Sequence, residues 1–388
     1  MNITRRRLIV SVTSALGGEF FKGLCGSCAG AAERADTSKT LRILFLGGTG
    51  FIGPHMVRGA LNHGHRVTLF TRGRSGADLF PEAERLIGDR AGQLESLHGN
   101  TWDVVIDNSG FLPEHVQASA ELLKDSVGHY LFTSATDVYR DYHTRNIDES
   151  YPLATLPVGA PHDVSRYYGP LKALCERVVT RIYPNNCTIV RPGWIVGPGD
   201  GHRLEYWIYR MKRGGEFLAP ESADDPLQFI YVRDLAQWVI SMAESQKGGP
   251  YNAVGPSTTW GRFFQAIQSV TETTSTPTWV DATFLKENKV VPYFDLPMWW
   301  PPRNDYHVGP IPAGVDGGIG AFAINENKAR NAGLTHRPLS EMLNDTFQSY
   351  KSECGDWQDG KCGGLTAARE RELLTGWWAK HRRAAHVA

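Results

Sequence analysis

Leu41-Arg42-Ile43-Leu44-Phe45-Leu46-Gly47-Gly48-Thr49-Gly50-Phe51-Ile52-Gly53 is the stretch that decides the fold. An apolar run passes directly into a glycine cluster, as the end of a buried parallel strand does. Gly47, Gly50 and Gly53 fit G-x-x-G-x-x-G. Glycine lets the backbone turn tightly and come close to a pyrophosphate. The helix that follows would offer free N–H groups and the positive end of its dipole. A helical pattern continues through His55-Met56-Val57 to Leu61, and His65–Phe70 reads as a second strand. Strand, turn, helix and strand within about 30 residues make a βαβ unit. Gly47, Thr49, Gly50, Phe51, Ile52 and Gly53 are therefore the expected dinucleotide contacts.

Further strands are expected at Arg85–Gly88, Asp103–Ile106, Tyr130–Thr133 and Thr188–Val190, with helices at Val116–Leu123 and Pro170–Ile182. The alternation predicts an α/β fold, a doubly wound parallel sheet of the Rossmann type with a smaller C-terminal substrate-binding region. Residues 41–200 form the core. Residues 201–388 are mainly the substrate region and tail, and 228–255 return to the core through a strand at Phe229–Val232 and a helix at Arg233–Glu244. Phe217–Pro226 and Val290–Asn304 read as loops. The tail from Leu365 to Arg383 reads as a charged helix.

The end of the second strand bears on cofactor choice. An acidic residue there would hold the adenosine ribose hydroxyls of NAD. This chain has Phe70-Thr71-Arg72-Gly73-Arg74 instead. Arg72 and Arg74 can grip a 2′-phosphate bidentately, which favours NADP over NAD. Asp89, after the third strand, can accept a hydrogen bond from the adenine amino group.

Tyr168-Gly169-Pro170-Leu171-Lys172 carries the chemistry. Of the 14 tyrosines, only Tyr168 has a lysine four residues later. Positions i and i+4 share a helix face. A tyrosine must lose proton affinity to act as a base near neutral pH, and a nearby ammonium favours the phenolate. Lys172 can also reach the nicotinamide ribose.

With these pieces in order, the chain resembles the extended short-chain dehydrogenase/reductase family, which includes NAD(P)-dependent sugar epimerases and dehydratases. The matching segments are Gly47–Gly53, Asp89, Tyr130–Tyr139, Tyr168/Lys172, Arg191–Pro198 and Gln228–Leu235. Leu69–Gly73 and Arg337-Pro338-Leu339 resemble elements of one epimerase branch. The resemblance implies that Tyr168 is the catalytic base, that Lys172 is its partner, and that the strand end with Pro192 contacts the nicotinamide side. One departure matters. The family places a catalytic Ser or Thr three residues before the Val of its Val-Tyr pair. Here the pair is Val138-Tyr139, and that position holds Ala135. Either Ser134 or Thr136 supplies the hydroxyl after a small backbone shift, or the substrate oxygen is held differently, or the enzyme is slow. His162 and Asp163 are candidates for a substrate loop. Tyr293, Phe294, Trp299 and Trp300 are candidates for an apolar or sugar-stacking wall.

The expected function is an NAD(P)-dependent epimerase or oxidoreductase acting on a sugar-like or nucleotide-sugar alcohol. The alternative is a cofactor-binding scaffold or sensor with weak catalysis. An RNA-binding role, known in some relatives, is disfavoured because 41 basic residues balance 41 acidic ones, leaving no global field for nucleic acid. With 41% hydrophobic and 21% charged residues, the 388-residue chain is neither disordered nor collagen-like. No membrane span is expected after residue 40. His202, His307 and His336 lack metal-ligand spacing, so no metal is expected. The expected partner is a small sugar-like molecule, and a homodimer is compatible with the reading.

Residues 1–31 are read separately. Thr4-Arg5-Arg6-Arg7-Leu8-Ile9-Val10, a weakly apolar stretch and Ala29-Gly30-Ala31 resemble a twin-arginine export signal, with 32–40 as a linker. The expected location is periplasmic or extracellular. Cys25 and Cys28 fall within that signal. Cys354 and Cys362 are read either as a disulfide of an exported protein or as two free thiols.

Overall fold

The computed structural model describes residues 39–201, 203–301, 318, 320–354 and 363–385. Residues 1–31, read as an export signal, and His202, His307 and Cys362 lie outside the described residues.

The opening run forms β1 (Arg42–Leu46) and the second apolar run β2 (Arg66–Thr71), bridged by α1 (Gly53–Asn62). The chain continues through β3 (Glu84–Ile87), β4 (Trp102–Asp107), α2 (Pro113–Leu123), β5 (Val127–Thr133), α3 (Val164–Ile182) and β6 (Cys187–Pro192). After the short β7 (Ile195–Val196) come α4 (Arg203–Lys212), β8 (Gly215–Pro220), β9 (Pro226–Leu227) and β10 (Ile230–Tyr231). Then α5 (Val232–Ser245) leads into β11 (Gly249–Ala253).

Seven of these strands make one sheet in the order β11-β6-β5-β4-β1-β2-β3, and every pairing in it is parallel. This is the doubly wound order with its switch point between β1 and β4. Alternation along β1 shows how both faces are buried. Ile43 and Phe45 pack with Met56 and Val57 of α1 and with Leu235 and Val239 of α5. Leu44 and Leu46 pack on the other face with Val116 and Ala120 of α2 and with Cys175 and Val179 of α3. Successive strand residues point to opposite faces, so a sheet covered on both sides needs an unbroken apolar run.

The second half builds its own core. There β12 (Thr258–Thr259), α6 (Trp260–Thr271), β13 (Ser275–Val280) and α7 (Ala282–Glu287) follow the sheet. They are followed by α8 (Asn327–Asn331), α9 (Leu339–Cys354) and α10 (Ala367–Ala385). Trp207, Phe217, Trp260, Phe263, Phe264, Trp299 and Trp377 meet in one cluster. The expected loop at Phe217–Pro226 is corrected here: Gly215–Pro220 is a strand, paired in parallel with Ser275–Val280. Its partner lies about 60 residues away in sequence, so no local signal marked it.

A buried ion pair ties the last helix to this lobe. Glu370 of α10 accepts from Arg210 Nε at 2.7 and 2.5 Å and from the Leu218 backbone N–H at 3.2 Å. Glu370→Ala leaves the Arg210 guanidinium buried without its carboxylate. We expect a loss of about 3–5 kcal/mol, read as a lower midpoint in urea denaturation.

Candidate active site

The glycine turn has the shape of a phosphate cradle. Gly47 takes φ +81°, and a side chain there would press on Ser109. A Cβ on Gly53 would fall 2.6 Å from the Gly48 carbonyl carbon, so only glycine lets α1 start this close to β1. At Gly50, by contrast, a Cβ would meet nothing within 4 Å. That open approach lies beside the first turn of α1. The N-cap there, Ile52, offers no side-chain hydrogen bond, so the positive end of the α1 dipole is turned to that approach without a side-chain cap. These residues fit the pyrophosphate of a dinucleotide. Thr49 belongs to the same turn, and Phe51 and Ile52 line the cavity beyond it.

At the adenosine end, Arg72 and Arg74 are exposed just past β2. Asp89 is half-buried, and its Oδ1 accepts from the Ala91 N–H at 3.1 Å. Its second oxygen has no partner among the described residues.

Tyr168 and Lys172 sit at the start of α3. Asp163 caps the helix by accepting from the Ser165 N–H at 2.9 Å. The first turn breaks at Tyr167, at φ −126° and ψ 37°. The regular helix therefore restarts at Tyr168, and Pro170 falls in its first turn, where a missing N–H costs little. Gly169 lets this turn press onto the β5 loop, since a Cβ there would lie 2.0 Å from the Asp137 carbonyl oxygen. Lys172 is 3% exposed, and its Nζ donates to the carbonyls of Gly110 at 2.8 Å and Thr133 at 2.6 Å. Burial lowers its pKa to about 8.

The two residues share a helix face but do not share a charge as expected. Burial pushes the Tyr168 hydroxyl well above its ordinary pKa, and the nearby Asp137 carboxylate adds to the rise. The ammonium of Lys172 is spent on backbone carbonyls.

The hydroxyl candidates differ. Ser134 Oγ is buried and has no hydrogen-bond partner among the described residues. Thr136 lies beside Tyr142 and favours the ionised form of its hydroxyl. Both line a cavity of about 650 Å³ that also reaches Tyr168, Lys172 and Pro192. The strand end read as facing the nicotinamide divides its residues. Pro192 faces the cavity, whereas Arg191 is buried and paired with Glu176 at 2.7 Å. The aromatic wall divides too: Tyr293, Phe294 and Trp300 line the cavity, and Trp299 is in the core. His162 pairs with Glu114 at 2.9 Å.

Sequence reading missed Asn108, Phe111, Asp137, Tyr142, Arg203 and Phe322, all on the cavity wall. Asn108 follows β4 and Asp137 follows β5, at the carboxyl ends where ligands of such sheets bind, so position in the topology was the available signal. Arg203 and Phe322 come from distant segments that only the tertiary fold unites.

Among the described residues, one group could in principle hold a metal ion: His63, His65 and Glu244. The Leu41 N–H donates to His65 Nδ1 at 3.3 Å, so the proton of the neutral ring sits on Nε2, 3.0 Å from Glu244 Oε1. That arrangement occupies the atom a metal would need.

A glycine turn at the switch point, next to a Tyr/Lys helix and a cavity, is the arrangement of a Rossmann-type dinucleotide fold. Residues 43–254, more than half of the chain, match the NAD dependent epimerase/dehydratase family, and the chain belongs to it. It is 30% identical over 227 residues to the chloroplast stem-loop binding protein of 41 kDa b of Arabidopsis thaliana, covering 54% of this chain and 57% of that one. It is 25% identical over 235 residues to the decarboxylating sterol-4-alpha-carboxylate 3-dehydrogenase of Bos taurus, covering 54% and 62%. The chain thus spans less than two thirds of either relative. The fold matches that of UDP-glucuronic acid 4-epimerase from Bacillus cereus, solved in complex with NAD, with a TM-score of 0.57 and 15% identity over 81% of this chain and 98% of that one.

The depressed pKa of Lys172 has a measurable consequence. Between about pH 8 and the unfolded value near 10.4, the unfolded chain holds a proton that the folded chain has released. Stability should therefore rise with pH in that window, by on the order of 3 kcal/mol when complete, and fall back as pH drops to about 8. Lys172→Met should remove this part of the slope in denaturation curves measured from pH 7.5 to 10.5.

Proposed function

We propose that the chain is an NAD(P)-dependent oxidoreductase or epimerase that works on a sugar-like alcohol. The observation that carries this is the joint placement of Tyr168, Lys172 and the unpaired Ser134 hydroxyl around one cavity, which Phe51 and Ile52 of the glycine turn also line. Bound NAD(P) supplies a hydride acceptor. Once its own proton has passed to solvent, the Tyr168 phenolate takes the alcohol proton, and Ser134 donates a hydrogen bond to the reacting oxygen in place of the side chain absent at Ala135. Lys172 fixes α3 through the Gly110 and Thr133 carbonyls and has a third proton for the ribose. Returning the hydride to the opposite face gives an epimer, and releasing the ketone gives a dehydrogenase. Product analysis separates the two.

A second reading, a cofactor-binding scaffold with weak catalysis, draws on Ala135 and on the binding role printed in the name of the Arabidopsis relative. One experiment decides between them. Tyr168→Phe should abolish hydride transfer while leaving nucleotide binding intact. Ser134→Ala should cost roughly a hundredfold in kcat/KM, and Thr136→Ala far less. Normal turnover in Tyr168→Phe defeats the proposal.

NADP is the proposed cofactor, because residues 71–76 carry Arg72 and Arg74 and no carboxylate. Arg72→Ala should weaken NADP about tenfold and leave NAD unchanged, as about one charge-assisted contact predicts. Equal affinity of the unaltered protein for both nucleotides rules the preference out.

A further inference from the structure

We propose that Arg203 selects the substrate: its guanidinium takes the carboxylate of an acidic ligand whose apolar face lies on the aromatic wall of the cavity. The proposal rests on the reading of this cavity as the substrate site and narrows what enters it.

Elsewhere in the chain a buried guanidinium is given a carboxylate. Arg90 has Asp107, Arg191 has Glu176 and Arg210 has Glu370, each at 2.5 to 2.7 Å. Arg203, half-buried at the start of α4, departs from that pattern. Its Nε donates to the Tyr293 hydroxyl at 2.8 Å, and its Nη2 donates to the same oxygen. Its Nη1 reaches the Ile195 carbonyl at 3.4 Å. The guanidinium also lies over the Tyr293 ring, 5.1 Å from the centroid. These partners are all neutral, and no carboxylate pairs with Arg203 among the described residues. A guanidinium drawn partly out of water is left short of a counter-charge, which a ligand carboxylate would supply.

The geometry leaves an edge for it. A guanidinium offers five N–H groups in a planar fork. The Tyr293 oxygen spans the edge made by Nε and Nη2. Among the described residues, no acceptor spans the end where Nη1 and Nη2 present parallel N–H groups. Such an end grips a carboxylate bidentately. Arg203 and both its partners, Tyr293 and Ile195, line the cavity. Tyr293 is also close enough to Tyr168 for its charge to act there, so one residue adjoins both the anchor and the reacting tyrosine.

The surroundings admit an anion with an apolar body. The charged groups on the wall, among the described residues, are Lys172, Arg203 and Asp137, so cations outnumber carboxylates. Trp194 meets Tyr293 edge-on, with ring centroids 5.8 Å apart, and Phe322 at 5.1 Å. This cluster offers apolar area beside the guanidinium. One free fork matches the single charge of a carboxylate. A phosphate monoester brings roughly 1.5 to 2 negative charges to a wall that already carries Asp137.

The test uses the protein with its nucleotide bound and follows ligand binding by calorimetry, so it needs no turnover. The probes are benzoate, its neutral isostere benzamide, and phenyl phosphate. Benzoate should bind about tenfold or more tightly than benzamide, as a hydrogen bond to a charged group predicts. It should also bind more tightly than phenyl phosphate. Arg203→Met should bring benzoate down to the level of benzamide and leave nucleotide affinity unchanged. Arg203→Lys keeps the charge without the fork and should restore only part of the gap. The proposal is overturned if benzoate binds no more tightly than benzamide, the case in which neither binds included. It is equally overturned if phenyl phosphate binds more tightly than benzoate, or if Arg203→Met weakens the nucleotide as much as benzoate. The comparisons among probes are made on the unaltered protein, so a variant that fails to fold does not decide the matter. Hydride transfer at Tyr168 is judged separately, by Tyr168→Phe.

Discussion

The ammonium of Lys172, shared between the carbonyls of Gly110 and Thr133, is the constraint on which the site depends. It ties α3 to the chain just past β4 and to the end of β5. A buried ammonium is tolerated only when its protons are taken up, and here two backbone oxygens take them. Phe132 lies under the charge at 4.2 Å and adds a favourable ring face. With α3 held in this way, Tyr168 stands one turn away at the mouth of the cavity. Gly169 then removes the one side chain that would keep α3 off the loop carrying Ser134 and Asp137.

The electrostatics of the pair follow from the same clasp. Lys172 spends its protons on the backbone, so Tyr168 is governed by its own burial and by Asp137, both of which favour the protonated phenol. Asp137 thus acts as a brake on ionisation of the tyrosine.

The glycine turn, the alternation of strands and helices, and the Tyr-x-x-x-Lys spacing were legible because each is written in adjacent residues. Gly47, Gly50 and Gly53 play three different parts, yet all three are read from one heptapeptide. The second lobe was not legible in the same way. Its core joins Trp207, Phe264 and Trp377 from three helices, and β8 finds its partner in β13. Nothing local announces such pairings. The cavity wall shows the same limit. Tyr168 carried a spacing signal, while Arg203 and Phe322 acquire meaning only through Tyr293 and Trp194. The clasp was not legible either: the backbone carbonyls that claim the lysine carry no signature in sequence.

The path of the chain through the sheet sets the order in which the molecule can be completed. β11 closes the edge beside β6, but β7 to β10, α4 and α5 intervene between them. On a ribosome, the first six strands emerge and pair before the strand that seals their edge has been made. Until then β6 is an open edge exposing unpaired backbone groups, the kind of surface that recruits foreign strands. Sealing it requires closure of a long loop, which slows the step relative to the local pairings. A nascent chain stalled between residues 192 and 249 would therefore be the species most in need of a chaperone.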